Sequence, residues 1–379
     1  MALSPTLASE VSLIDPPHVA TLGARVESTT LTNISRELAP QRIASLDGLR
    51  AVSIALVLID HLGYDRFFTP DTLIGTALTS LGGFGVKVFF VLSGYLITLL
   101  MLNEEKRTGK VDLGKFYLRR AFRILPAATA FMLAIFIYNG SAISLQNKVL
   151  SFLFLENYAS PTDWRVGHLW SLGVEEQFYL LWPVLFIVWP QARKKILLLT
   201  MALVPIANIV IIRFGWPFWN LAFYSVADTI ACGCLLALLR KNLYLNQILD
   251  SRFFVLVPVL TFVNSPLCLM KGGVAFGICK SLILRPALNI GIALSVEKAV
   301  RAAPAILNGR SIMFIGAMSY SIYLWQQPFA FSRTPLIPNS SLDLLARIFL
   351  IGLLASSSYY LLEQPFLRMR RRLLHKSEN

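Results

Sequence analysis

The sequence predicts an all-α membrane protein: about ten transmembrane helices in one bundle, both termini cytoplasmic. Three observations predict it. Of 379 residues, 55% are hydrophobic and only 15% charged, against about 25% charged in ordinary soluble domains. The apolar residues fall in blocks of roughly 17 to 23, the length that crosses a ~30 Å hydrocarbon core at about 1.5 Å per residue. Basic residues, finally, are concentrated in alternate connecting segments.

Ten blocks are read along the chain: 46–62, 81–102, 124–139, 169–190, 195–212, 219–239, 253–270, 275–295, 311–331 and 344–362. The third is short, and the seventh is interrupted by Pro258 and Pro266. A further apolar stretch, 149–155, is too short to span and is expected to lie at an interface or re-enter. With the N-terminus inside, the inside segments carry 24 Lys and Arg and the outside segments six. Cationic residues resist translocation, so this asymmetry orients the bundle. It also accounts for the net charge of +14 without a nucleic-acid partner.

The domain organisation follows. Residues 1–42 mix Ser, Thr, Pro and scattered charge, and no basic start leads into an apolar run with a small-residue cleavage site. They read as a disordered cytoplasmic tail. Residues 43–367 form the membrane domain, and 368–379 a basic cytoplasmic tail that serves as a topology anchor or meets anionic lipid. Cys232, Cys234, Cys268 and Cys279 sit in or beside spans and read as packing residues rather than metal ligands or disulfides.

Ionisable groups inside a bilayer are costly and tend to be functional. Arg50 and His61 share the first span. Eleven residues make three turns plus about 20°, so both lie on one face, roughly 16 Å apart along the axis. An arginine snorkelling to the inner interface and a histidine wetting the outer one fit the same spacing. The fourth span opens His168-Leu-Trp-Ser171-Leu-Gly-Val-Glu175-Glu176-Gln177. Glu175 and Glu176 then lie roughly 9–10 Å deep. They call for a polar cavity or a partner, with Arg50 and His61 as the candidates; a buried structural ion pair is the alternative. His168 is expected at the outer mouth, hydrated. Arg120 and Arg123, with Arg119 beside them, share a face if 103–123 is helical. Guanidinium forks suit phosphate, although basic residues flanking a span also follow from topology alone. The second span, Gly82-Gly83-Phe-Gly85-Val-Lys87 through Ser93-Gly94, reads as close helix packing. Lys87 within it lacks an evident carboxylate.

Together these stretches resemble the acyltransferase 3 family of bacterial integral-membrane acyltransferases. The resemblance rests on Leu46-Asp-Gly-Leu-Arg50-Ala-Val with His61 following; Gly85 through Ile97; Phe116-Tyr-Leu-Arg-Arg-Ala-Phe-Arg-Ile-Leu-Pro126; Trp170 through Pro183; Ser319-Tyr-Ser-Ile-Tyr-Leu-Trp325; and Leu362-Glu-Gln-Pro365. It covers roughly 44–370, nearly the whole chain. It implies about ten helices and transfer of an acyl group, usually acetyl, from cytosolic acyl-CoA to a hydroxyl of a carbohydrate or lipid-linked glycan, such as O-antigen of lipopolysaccharide or exopolysaccharide. The implied location is the bacterial cytoplasmic (inner) membrane, with acetyl-CoA as co-substrate and no metal. It further implies that Arg50 and His61 are essential, that Arg120 and Arg123, with Arg119, bind acyl-CoA, and that Glu175 and Glu176 lie near the catalytic centre. Two departures stand out: many relatives carry an acidic residue at the position of Lys87, and many carry His where Gln326 follows Trp325. The chain is also expected to lack the extracytoplasmic hydrolase-like domain that some relatives append.

The mechanism expected is His61 as general base on the acceptor hydroxyl, oriented by Glu175 or Glu176, with Arg50 holding the donor or the oxyanion. A covalent acyl-histidine step stays open. The rival class is a multi-span transporter of an envelope glycan or small solute. Related halves would mark a transporter, and the sequence shows none.

Overall fold

The computed structural model describes residues 43–63, 72–214, 222–330, 336–337 and 342–376. The expectation for the tail 1–42 and the last three residues of the basic tail, 377–379, lie outside these. Among the described residues every regular element is helical, without strands. Each expected block has its helix: α1 Ala44–Gly63, α2 Leu81–Thr108, α3 Leu113–Asn139, α4 Leu169–Val188, α5 Arg193–Phe214, α6 Phe223–Leu239, α7 Leu256–Leu269, α8 Arg285–Ala302, α9 Arg310–Ala330 and α10 Asp343–Ser358. A final helix, α11 Gln364–Lys376, follows α10 through a π-helical turn, Tyr359–Glu363.

Seven segments are long and apolar enough to cross a membrane among the described residues, or eight if α6 and the helix after it count as one bent span. The expected ten is therefore not reached on length and hydropathy alone. α6 has 17 residues and turns by 106° into Leu243–Asp250. α1 and α9 fall short because polar residues run through both. They pack against each other, with α1 also contacting α2, so much of that polarity is spent inside the bundle rather than on lipid.

Two local features position the site. α2 ends at Gly109, whose φ of 75° is left-handed and carries no Cβ penalty. Asp112 then caps α3, its side chain accepting from the Lys115 amide at 2.9 Å. The third block is thus not a short span: its helix begins eleven residues earlier than expected, at Leu113, and carries Arg119, Arg120 and Arg123 as part of the rod. Secondly, α2 and α6 cross at Gly94 and Gly233. A Cβ on Gly94 would meet the Ile230 carbonyl, and one on Gly233 the Val91 carbonyl, so the crossing needs residues without side chains.

Several buried charges elsewhere are held by polar or charged partners, which offsets their desolvation. Lys87 donates to Thr229 Oγ1 and Asn289 Oδ1, each at 3.4 Å. Asn289 in turn donates to Asp228 Oδ2 at 2.8 Å. The carboxylate that the sequence did not reveal comes from α6, 141 residues downstream. Glu297, fully buried, bridges Arg301 at 2.6 Å and Arg240 at 3.3 Å. Arg347, also fully buried, bonds Asp343 at 2.7 Å and the Phe329 carbonyl.

Candidate active site

The fourth helix distributes its polar run by helical geometry. Successive side chains point about 100° apart, so Glu175, Glu176 and Gln177 face three surroundings. Glu175 Oε1 accepts from Ser93 Oγ at 2.5 Å, and Tyr179 one turn on donates to the same Ser93 oxygen at 3.3 Å. Gln177 points the other way. Its Nε2 donates to Asn157 Oδ1 at 2.9 Å and to the Phe154 carbonyl at 3.1 Å, tying down a turn in which Phe154 has a φ of 55°. Glu176 lies between these directions. Its Oε1 is buried without a hydrogen-bond partner, and Arg120 is the cation that acts on it. Ser93, read from the sequence as a packing residue, is instead the hydroxyl that positions Glu175.

A cavity opens beside Glu175. α1 contributes Arg50, α2 Ser93, α3 Arg120 and Arg123, α4 Glu175 and Tyr179, and α9 Tyr320 and Tyr323. Arg50 Nη1 donates to Asp47 Oδ1 at 3.1 Å. The Arg120 guanidinium lies 5.2 Å from the Tyr179 ring and 5.8 Å from the Phe116 ring, and its Nε is buried without a hydrogen-bond partner. Tyr320 donates to the Ile124 carbonyl at 2.8 Å, pinning α9 to α3 beside these arginines. Three guanidiniums thus meet one carboxylate on a single cavity, an arrangement suited to an anionic ligand.

The other predicted residues fall elsewhere. Arg119 turns away from the cavity and pairs with Glu104 at 2.8 Å. Glu176 and His61 are also outside the lining. His61 Nδ1 lies 2.8 Å from Gln326 Oε1 on α9, while Glu175, expected as its support, bonds Ser93. His168 is not hydrated: it is 4% exposed. Its ring meets Phe131 edge-on at 5.3 Å and tilts on Tyr323 at 5.4 Å. Neither ring nitrogen is in a well-formed hydrogen bond among the described residues. The segment before α4 folds inward, with Val166 buried and the Trp164 carbonyl bonded by Gln327 at 2.6 Å, and this encloses the imidazole. Tyr323 connects the two regions. It lines the cavity, shares a 2.7 Å hydrogen bond with Ser171 Oγ, and donates to the His168 carbonyl at 2.8 Å.

Sequence reasoning missed Gln326, Tyr320, Tyr323 and Glu363 as site residues. Glu363 is buried in the π turn, accepts from Ser321 Oγ, and is influenced by Arg123. All four sit in or beside the stretches Ser319–Trp325 and Leu362–Pro365, which carry the family resemblance but no ionisable group placed by it in the chemistry.

The profile of the acyltransferase domain matches residues 43–362. This chain belongs to the acyltransferase 3 family. Among curated relatives, it is 27% identical to the putative peptidoglycan O-acetyltransferase YrhL of Bacillus subtilis, over 85% of this chain and 54% of that protein. It is 26% identical to the O-acetyltransferase OatA of Staphylococcus aureus, over 90% of this chain and 60% of that protein. It is likewise 26% identical to the peptidoglycan O-acetyltransferase OatA of Listeria monocytogenes, over 88% and 56%. The chain therefore spans a little over half the length of the curated relatives it matches. No solved structure matches it. Within this acyltransferase 3 chain, the matched region contains the whole cavity lining.

Proposed function

We propose that this protein transfers an acyl group, acetyl in the first instance, from cytosolic acyl-CoA to a hydroxyl of a cell-envelope or secreted glycan. The single observation that carries the donor assignment is the convergence of Arg50, Arg120 and Arg123 with Glu175 on one cavity. The similar proteins named as O-acetyltransferases supply the acyl group and the glycan class, two of them by naming peptidoglycan. Peptidoglycan is accordingly the first acceptor to try.

In this reading the phosphates of the donor rest on Arg120 and Arg123, and the pantetheine arm enters the cavity past Glu175. The neutral His61 imidazole takes the proton of the acceptor hydroxyl as its oxygen attacks the thioester carbonyl. The C–S bond breaks, the thiolate leaves, and His61 passes its proton to that thiolate, giving the free thiol. Arg50 offsets the charge on the carbonyl oxygen. The polypeptide crosses a bacterial cytoplasmic membrane ten times with both ends inside, α1 and α9 crossing within the bundle where their polar faces meet.

The test is direct. The purified full-length chain is given acetyl-CoA labelled in the acetyl group together with peptidoglycan fragments. Label should appear as base-labile ester on the glycan, with stoichiometric free thiol. Glycan uptake into vesicles with no thiol release would instead support a carrier.

A further inference from the structure

The last helix brings another arginine to the basic side of the cavity. α11 packs along α3, and the rings of Phe366 and Phe122 meet at 6.2 Å. Arg370 follows Phe366 by four residues and so stands one turn on along the same face, while Arg119 and Arg123 flank Phe122 at three residues before and one after. Arg123, Arg119 and Arg371 are the charges that act on Arg370.

Arg193, Arg240, Arg301 and Arg347 each pair with a carboxylate. Arg370 pairs with none among the described residues, and its Nε is closed off from solvent without a partner. Arg120 is in the same condition. The carboxylates nearby are engaged, Glu104 by Arg119 and Glu363 by Ser321. Like charges held together with unused donors are unfavourable unless an anion joins them.

We propose that Arg370 belongs to the donor site and, with Arg123, binds an organic phosphate, that of the nucleotide end of a coenzyme A thioester. The proposal rests on the reading of the cavity as the acyl-CoA site. It gives the basic C-terminal helix a ligand: the pantetheine arm and thioester occupy the cavity, and the nucleotide stays at its mouth between α3 and α11. Arg370 serves binding rather than the chemical step.

The experiment uses the full chain in nanodiscs and two donors, acetyl-CoA and S-acetylpantetheine, which lacks the nucleotide. Arg370→Gln should weaken acetyl-CoA binding about tenfold, the loss of one charge-assisted phosphate contact. The same variant should leave S-acetylpantetheine unchanged, and Arg370→Lys should recover part of the loss. Arg368→Gln and Arg372→Gln, exposed positions on the same helix, should bind both donors as the unmutated chain does. Equal weakening by all three Gln variants, seen only when the nanodiscs contain anionic lipid, would assign the helix to lipid headgroups and overturn the proposal. Unaltered acetyl-CoA affinity in Arg370→Gln would overturn it while leaving the donor reading intact. Failure of the unmutated chain to bind either thioester would overturn both.

Discussion

Gln326 Oε1 lies 2.8 Å from His61 Nδ1, joining α1 to α9 at the residue proposed as the base. Accepting from Nδ1–H, the carbonyl oxygen places the lone pair of the neutral ring at Nε2. His61→Ala should lower transfer by about 10²–10⁴-fold at matched membrane abundance. Gln326→Leu should reduce kcat at little-changed KM, and by less than His61→Ala. Gln326→Glu should move the rising limb of the rate–pH profile to higher pH, because an anion at Nδ1 holds the proton on the ring. A profile that stays put, with kcat intact in Gln326→Leu, would remove Gln326 from the mechanism.

Glu175 and Glu176 should not be equivalent. Glu175 lines the cavity and is held by Ser93, whereas Glu176 lies outside the lining. Glu175→Gln should cost about tenfold or more in activity, the scale of a hydrogen bond to a charged group, and Glu176→Gln should keep most of it. Ester content of the glycan in a deletion strain complemented with each variant measures the difference; equal losses would contradict it.

Replacing Arg120 and Arg123 together with Ala should raise KM for acetyl-CoA by at least about tenfold, with insertion preserved. The charge-matched control is Lys194 and Lys195, both exposed. Arg193 is unsuitable as a control, since it grips Glu105 through two hydrogen bonds of 2.7 and 2.8 Å. Equal effects of the two double variants would reduce the cluster to a topology signal.

Orientation can be checked at two turns. A cysteine introduced at Lys110, between α2 and α3, should be shielded from an impermeant thiol reagent in intact cells, and one at Ser160, between α3 and α4, should react. Reaction at Lys110 would overturn the proposed sidedness.

Glu156, in the connection before α4, is 1% exposed. Its carboxylate accepts from Ser151 Oγ at 3.0 Å. Burial pushes it up from an ordinary 4.5 to about 7. With the folded value raised, its contribution to stability is fully present below the unfolded value and is lost as pH rises through about 7. Glu156→Gln, which keeps a neutral group, should therefore raise the melting temperature above pH 7 and flatten its dependence between pH 5 and 8. Parallel melting curves for the two proteins across that range would refute the account.

The sequence by itself determined the helical membrane class and the places of the helices, because the bilayer imposes a length and an apolarity that can be counted. It also singled out Arg50, His61, Glu175 and Glu176, since ionisable groups at membrane depth stand out against their neighbours, whereas Arg120 and Arg123 gained a role only through the family resemblance. Only the tertiary structure decided which of these meet. Arg119 and Arg120 are adjacent in the chain, yet the 100° step of the helix sends one to Glu104 and the other to the cavity. Lys87 finds its polar partners on α6 and α8, and His61 finds Gln326 265 residues away. His168 is enclosed by a loop whose path no periodicity announces. Helical periodicity is local and can be read along the chain, whereas contacts between helices depend on how the bundle packs and carry no signal in spacing.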